Sequence, residues 1–216
     1  MSASPSPAKP SALAEFFDKA GMLVVLAILF IGCSVFVENF FSVANMKGLA
    51  LAVSMTGMVA CTMLFCLAAG DFDLSIGSVV ACAGVLAAVV MNRTESITLG
   101  VLAGLGAGAL VGLLNGFVVA RLRINALITT LATMQIVRGL GFIISDGKAV
   151  GIGQEDFFSL GNSMFFGVPT PVWITIACFV VFGFILNRTV FGRDTLAVGG
   201  NSEASHLAGI AVDRVK

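Results

Sequence analysis

The sequence predicts an all-α protein: a polytopic membrane bundle of six transmembrane helices, followed by a short helix in water. Of its 216 residues, 58% are hydrophobic and only 11% are charged, which excludes an ordinary soluble domain. The apolar residues also gather into six runs of about 20 residues, the length that crosses a bilayer. Because lipid offers no partner to backbone polar groups, we expect each run to be helical.

The chain divides into three regions. Residues 1–20 are rich in Ser, Pro and Ala, a composition typical of a disordered tail, which we expect to end in a frayed helix. Residues 21–187 form the predicted transmembrane domain. Residues 188–216 are a long polar segment that follows the last predicted span, and we expect them to face water.

Charged and polar residues mark the ends of the spans. The first three are predicted at residues 21–37, at residues 48–70 and between Asp73 and Arg93. The fourth and fifth follow at 96–120 and 124–145. A polar loop at 146–167 then separates them from the sixth span, at 169–186.

Basic residues predict the orientation. Arg121 and Arg123 follow the fourth span, and Arg188 and Arg193 follow the sixth. The loop after the fifth span instead has three acidic residues and a single basic one, Lys148. The positive-inside rule therefore places both the N-terminus and the segment 188–216 in the cytoplasm. Trp173, at the other end of the sixth span, suits an interfacial anchor.

Several function classes have no support. Twelve basic residues balance twelve acidic ones, which gives no reason to expect a nucleic-acid partner. All five cysteines lie in apolar runs without a neighbouring histidine, so we expect small hydrophobic side chains and no metal site. The chain has no complete phosphate-binding loop and no catalytic constellation around its single histidine, His206. We therefore predict neither an enzyme nor a cofactor in this chain.

The fourth span carries a glycine at every fourth position. Glycine costs about 1 kcal/mol relative to alanine within a helix in water, so five at this spacing require a reason. One reason is the close approach of helices in the membrane, which glycine permits. The alternative is a surface along which the helices of a transporter slide. The predicted packing residues are Gly100, Gly104, Gly108, Gly112 and Gly116.

Two polar stretches are candidates for a transport pathway. The first joins spans two and three with almost no loop, where Asp73 could instead cap the third helix. The second is the fifth span, whose Arg138 needs a partner, water or a cavity; its hydroxyls and amides could line a path for a neutral polar solute or simply hold helices together. The candidates are Asp71, Asp73, Ser75, Asn125, Thr129, Thr133, Gln135 and Arg138.

The segment 188–216 predicts a short helix of its own. Asn201 or Ser202 can cap it, and Gly209 suits its end. Ala204, Leu207 and Ala208 then share one face. That face is either a docking surface for a partner in water or lies on the protein's own surface.

Three stretches resemble the permease subunits of bacterial ABC sugar importers, which include the ribose, xylose, galactose and arabinose permeases. They are residues 71–77, 125–139 and 191–210. Residues 22–25 and 146–152 are most similar to the L-arabinose branch. The resemblance covers nearly the whole chain after the tail.

The resemblance implies a translocation subunit of the bacterial inner membrane that imports a monosaccharide by alternating access. Its implied partners are an ABC ATPase subunit, which binds the ATP, a periplasmic sugar-binding protein, a second permease copy and membrane lipid. It also implies that the segment 188–216 docks on the ATPase. The implied coupling residues are Gly199, Gly200, Asn201, Glu203, Ala204 and Gly209.

One departure from the family concerns length. Its members continue beyond the coupling segment with further spans, whereas this sequence stops at Lys216, so we expect a C-terminally truncated chain. Two alternatives to an importer stay open: a membrane remnant or scaffold that does not transport, and a channel or carrier that works without ATP.

Overall fold

The computed structural model describes the backbone of residues 12–216 and the side chains of residues 20–159 and 161–216. The all-α prediction is confirmed. The helices are α1 (Ala12–Phe36), α2 (Val43–Ala68), α3 (Ile76–Thr94), α4 (Ile97–Ala120), α5 (Ala126–Ser145), α6 (Glu155–Asn162), α7 (Thr170–Arg188), α8 (Val190–Gly200), α9 (Ser202–Leu207) and α10 (Val212–Val215). Two short strands, β1 (Met164–Phe165) and β2 (Val168–Pro169), lie between α6 and α7.

Within the described residues, five helices are long and apolar enough to cross a membrane: α2, α3, α4, α5 and α7. They coincide with the second to sixth predicted spans. The first predicted span corresponds to α1, whose apolar stretch Ala20–Phe36 is shorter. Of the predicted tail, residues 1–11 lie outside the described residues. The chain is a multi-pass membrane protein.

The chain forms two units, one ending at Leu49 and the other beginning at Ala50. In the first unit, the turn after α1 is held by aromatic contacts. The rings of Phe30, Phe40 and Phe41 meet edge to face, with centroids 5.1–5.8 Å apart. Asn45 Nδ2 donates a hydrogen bond of 2.7 Å to the Phe40 carbonyl oxygen, which ties the start of α2 to the turn.

In the second unit, α3, α4 and α5 pack against one another. Small side chains allow the close approach of α3 and α4: a Cβ atom placed on Gly100 would lie 2.7 Å from the Ala87 carbonyl oxygen. Met91 of α3 fills the space beside Gly100 and is fully buried.

The second unit also joins α2 to α7. Thr175 of α7 donates a hydrogen bond of 2.9 Å to the carbonyl oxygen of Ser54 on α2. One turn along, Gly57 leaves room for the Thr175 methyl group. Near the end of α2, the ring of Phe65 lies between Phe182 and Phe191, at 5.6 and 6.2 Å. This contact brings the start of α8 against α2.

The segment between α5 and α7 has more structure than the predicted polar loop. It contains α6 and an antiparallel hairpin in which Met164 pairs with Pro169 and Phe165 with Val168. Asn92 of α3 holds the part before α6, because its side chain bonds both the Gly151 carbonyl and the Gly153 amide, at 2.7 and 3.1 Å. These elements are too short to show a periodic sequence pattern.

Many large apolar side chains along the spans are exposed, such as Leu113 at 72% and Ile143 at 73%. In a water-soluble domain such surfaces would drive aggregation. In a membrane the solvent is hydrocarbon, so apolar groups face outward and polar groups collect between the helices.

Candidate functional site

A break in the helical structure at residues 69–75 separates α2 from α3. Inside it, one carboxylate oxygen of Asp73 accepts two hydrogen bonds from Ser75, from the backbone amide at 2.8 Å and from the hydroxyl at 2.6 Å. Ser75 is the residue that precedes α3, and it is buried. Asp73 thus orders the turn ahead of the helix, although it bonds none of the amides within the first turn, as a standard cap would.

A hydrogen-bonded chain continues from Ser75 into two other helices. Asn115 of α4 donates to the Ser75 hydroxyl at 3.1 Å and accepts from the Thr133 hydroxyl of α5 at 2.7 Å. Asn115 is only 7% exposed. The break is therefore connected to α4 and α5 by four side chains, here called the polar relay: Asp73, Ser75, Asn115 and Thr133.

A second contact fixes the break to α5. The Thr130 hydroxyl accepts from the Leu74 amide at 3.2 Å and lies 3.4 Å from the Phe72 carbonyl oxygen. Thr130 is 3% exposed. These partners satisfy backbone groups that the break leaves without helical hydrogen bonds.

The other predicted pathway residues are not part of the relay. Asn125 caps α5, accepting from the amides of Leu127 and Ile128. Thr129 is buried and bonds back to the Asn125 carbonyl oxygen at 3.1 Å. Gln135 is exposed on α5. The structure therefore brings together Asp73, Ser75 and Thr133 and leaves the rest elsewhere.

Arg138 lines a cavity of about 640 Å³ between α3 and α5. The cavity wall is largely apolar, and Lys148, beyond the end of α5, contributes a second cation. An arginine within a span needs a polar or water-filled surrounding. Arg138 is exposed at this open cavity.

Asp71 lies at a different cavity, of about 660 Å³, where the break meets the α4–α5 turn and the segment 188–216. Its carboxylate forms an ion pair of 2.9 Å with the Lys216 ammonium group. Both side chains are about three-quarters buried. Asn125, Glu203 and His206 line the same cavity.

The helix predicted within the segment 188–216 is α9. The Asn201 side chain accepts from the Ala204 amide at 2.9 Å. At the other end, the Gly209 amide bonds the His206 carbonyl and the Ile210 amide bonds the Ser205 carbonyl, both at 3.0 Å. This pair of bonds is a Schellman motif, and Gly209 supplies its positive φ of 88°.

The apolar face of α9 is exposed in the described part of the chain. Leu207 is 82% exposed, and Ala204 and Ala208 are exposed too, whereas Ser205 is buried. Glu203 is also exposed, beside Ala204. The described residues leave this face exposed, and its role as a docking surface stays a prediction.

The element ahead of α9 touches the break directly. A Cβ atom on Gly199 of α8 would overlap with the Ala68 carbonyl oxygen, and one on Gly70 would lie 3.3 Å from the Gly199 Cα. Gly70 has φ of +81°, so glycine is needed there for conformation as well as for space. Gly200 follows at the end of α8, with no described atom within 4 Å of a Cβ.

The glycines of α4 differ from one another. Gly100 and Gly104 lie against α3, whereas the nearest side-chain atom to a Cβ on Gly108, from Val79, is 3.9 Å away. A Cβ atom on Gly112 would have no atom of another described element within 4 Å, and one on Gly116 would meet only the Lys216 carbonyl oxygen, at 3.8 Å.

Sequence reasoning missed Asn115 and did not select Thr130 as a site residue. Asn115 is the one amide side chain in the long apolar run of α4, and that isolation was the signal available. A polar group in such a run must find a partner on another helix.

Comparison with known proteins agrees with the resemblance to transporter permeases that the sequence shows. The model of the family described as "Branched-chain amino acid transport system / permease component" matches residues 45–216. The L-arabinose transport system permease protein AraH of Escherichia coli strain K12 is 63% identical over 215 residues, which cover 100% of this chain and 66% of AraH.

Two further relatives are more distant. The L-arabinose ABC transporter permease protein AraH of Azospirillum brasilense is 48% identical over 94% of this chain and 60% of its own length. The ribose import permease protein RbsC of Haemophilus influenzae is 34% identical over 94% of this chain and 64% of its own. The chain thus spans slightly less than two thirds of the length of these relatives. No solved structure matches. Because the family model covers most of the chain, the protein belongs to the family of the permease component of branched-chain amino acid transport systems.

Proposed function

We propose that this chain belongs to the permease subunit of an ATP-binding-cassette importer that moves a monosaccharide, L-arabinose, into the cytoplasm by alternating access. The sugar is taken from the relatives at 63% and 48% identity, both of which carry L-arabinose in their names. The subunit translocates and is not itself an enzyme. ATP is bound and hydrolysed by a separate ATPase subunit.

The assembly follows from the same proposal. A second copy of the permease pairs with the first in the inner membrane, and a periplasmic sugar-binding protein delivers the sugar. The basic residues after α4 and α7 support a cytoplasmic position for the N-terminus and for α8–α10. The ATPase docks there, on the exposed face of α9.

The observation that carries the proposal is the continuous contact from α9, through α8 and the break, to α4 and α5. A push on α9 moves α8, whose Gly199 touches the end of α2 at Ala68. The break that follows is bonded to α4 through Asn115 and to α5 through Thr130. A displacement of the docking helix therefore reaches the helices around the cavity at Arg138 without any covalent chemistry.

The test is a double substitution on α9, Glu203→Arg with Ala204→Arg, in the permease expressed in its host together with its ATPase and binding protein. Bulky cations on the docking face should abolish ATP-dependent uptake of L-arabinose and co-purification of the ATPase. The permease should still insert into the membrane, because both side chains are exposed.

The matched control is Glu203→Gln with Ala204→Ser, which adds neither bulk beyond one hydroxyl group nor a positive charge and should retain most uptake. Uptake that survives the double arginine variant would show that α9 is not the docking helix.

A ribose permease is the second candidate, because RbsC is 34% identical over most of the chain. Competition by unlabelled sugars separates the two. Ribose displacing labelled L-arabinose at equal concentration would favour this alternative, and failure to displace it would favour L-arabinose.

A further inference from the structure

The hairpin before α7 has an unusual turn. The two residues between β1 and β2 are Phe166 and Gly167, with φ of +51° and +74°. Two positive φ values are what a two-residue type I′ turn requires, and Asn-Gly or Asp-Gly is the usual sequence. A bulky aromatic residue in this conformation is an outlier, because its Cβ crowds the backbone.

The same phenylalanine is among the most exposed large side chains in the described chain, at 83%. The hairpin therefore combines a strained backbone with an apolar ring held away from the protein. Backbone strain at one exposed residue indicates that the residue has a function other than stabilising the fold.

The ring of Phe166 belongs to an ordered cluster. Its centroid is 4.5 Å from that of Phe165, which in turn lies 6.0 Å from that of Trp173 on α7. The Trp173 indole N–H donates to the Phe165 carbonyl oxygen at 3.1 Å. The three rings and this bond form a rigid aromatic edge, here called the aromatic hairpin, joined to the first turn of α7.

The position of the aromatic hairpin along the membrane normal follows from the length of α7. Its 19 residues span about 28 Å at 1.5 Å per residue, close to the thickness of the hydrocarbon core. With Arg188 at one boundary, Thr170 lies at the other. Trp173 is then at the level where lipid headgroups meet acyl chains, the depth that tryptophan prefers, and the hairpin just before Thr170 lies beside it.

Charge also favours lipid over a protein partner. Residues 163–169 carry no charged side chain. The nearest acidic groups, Glu155 and Asp156, are exposed at the start of α6. On α7, the exposed side chains of Ile176 and Val180 follow Trp173 at helical spacing, so the apolar edge continues along one face of this span.

We infer that the aromatic hairpin inserts Phe165 and Phe166 into the interfacial layer of the bilayer and, with Trp173, fixes the depth of this end of α7. The ligand is the lipid interface, and no particular headgroup is required. The inference rests on the membrane spans and not on the transport proposal, so the two fail independently.

The chain offers a clean reporter, because Trp173 is its single tryptophan. The experiment reconstitutes the permease in phosphatidylcholine vesicles, with and without lipids brominated near the headgroup end of the acyl chains. It measures tryptophan quenching in three proteins: the wild type, Phe166→Trp in a Trp173→Phe background, and Leu207→Trp in the same background. The last is the matched control, since Leu207 and Phe166 have almost equal exposure, 82% and 83%.

We expect brominated lipid to quench the reporter at position 166 several-fold more strongly than the one at 207, and soluble acrylamide to do the reverse. Wild-type Trp173 should respond like the reporter at 166, which keeps the test valid if a variant fails to fold. Equal acrylamide quenching at 166, 173 and 207, with no effect of brominated lipid, would overturn the inference. Protection of position 166 only after a sugar-binding protein is added would also overturn it, in favour of a protein partner.

Discussion

The two halves of α4 share one glycine spacing but have different surroundings. In the first half, Gly100 and Gly104 lie directly against the backbone of α3. In the second half, a Cβ atom placed on Gly112 would have no atom of another described element within 4 Å, and α4 is instead joined to its neighbours by the hydrogen bonds of Asn115. A repeated pattern along a helix therefore does not give a repeated interface: the first half holds by close packing and the second by polar bonds.

Gly100→Leu should have the largest effect, because it breaks the packed half. Even a Cβ atom would lie 2.7 Å from both the Ala87 carbonyl oxygen and the Met91 Cβ, and neither can move away easily in a packed interface. We expect a loss of about 3 kcal/mol in stability, at the upper end for overpacking. Thermal unfolding of the purified protein in detergent measures it, and an unchanged melting temperature would mean that α3 and α4 are not in contact there.

Asn115→Leu should have the next largest effect, because it breaks the polar half. The Thr133 hydroxyl loses its acceptor and the Ser75 hydroxyl loses a donor. We expect a cost of about 1 kcal/mol, the range found for hydrogen bonds between membrane helices.

A cycle with Thr133→Val separates the bond from the change in shape. If the relay is continuous, the double variant should cost less than the sum of the single variants, by about 0.6 kcal/mol. Strict additivity would mean that the two side chains act independently.

Gly112→Ala should have the smallest effect and sharpens the comparison. No described atom obstructs the added methyl group, and alanine favours a helix by about 1 kcal/mol over glycine in water. We therefore expect stability to stay constant or rise slightly, by the same thermal assay. A loss as large as that of Gly100→Leu would mean that another helix packs against Gly112.

Sequence reasoning succeeded where a single strong signal marks an element. The fourth span was predicted at 96–120 and α4 is Ile97–Ala120, because charged and capping residues stand at both ends of an apolar run. For α9, the sequence offered Asn201 or Ser202 as the cap, and Asn201 is the one observed; the end at Gly209 was also predicted, because glycine suits the left-handed conformation there.

The remaining features depend on contacts between distant parts of the chain. The role of Asn115 needs Ser75, forty residues earlier, and Thr133, eighteen residues later. The hairpin at Phe166 was missed because its turn residue contradicts the usual preference. The assignment of polar residues to a sugar pathway stays a prediction, with Arg138 at one cavity and Asp71 at another.

The most direct test of the account is ATP-dependent accumulation of labelled L-arabinose in proteoliposomes that contain the permease, its ATPase and its sugar-binding protein. Active import requires that the sugar accumulates against its gradient only when ATP and the binding protein are both present. Equilibration of the sugar without ATP, as through a channel, or no movement of L-arabinose by an intact, ATP-hydrolysing complex, would contradict it.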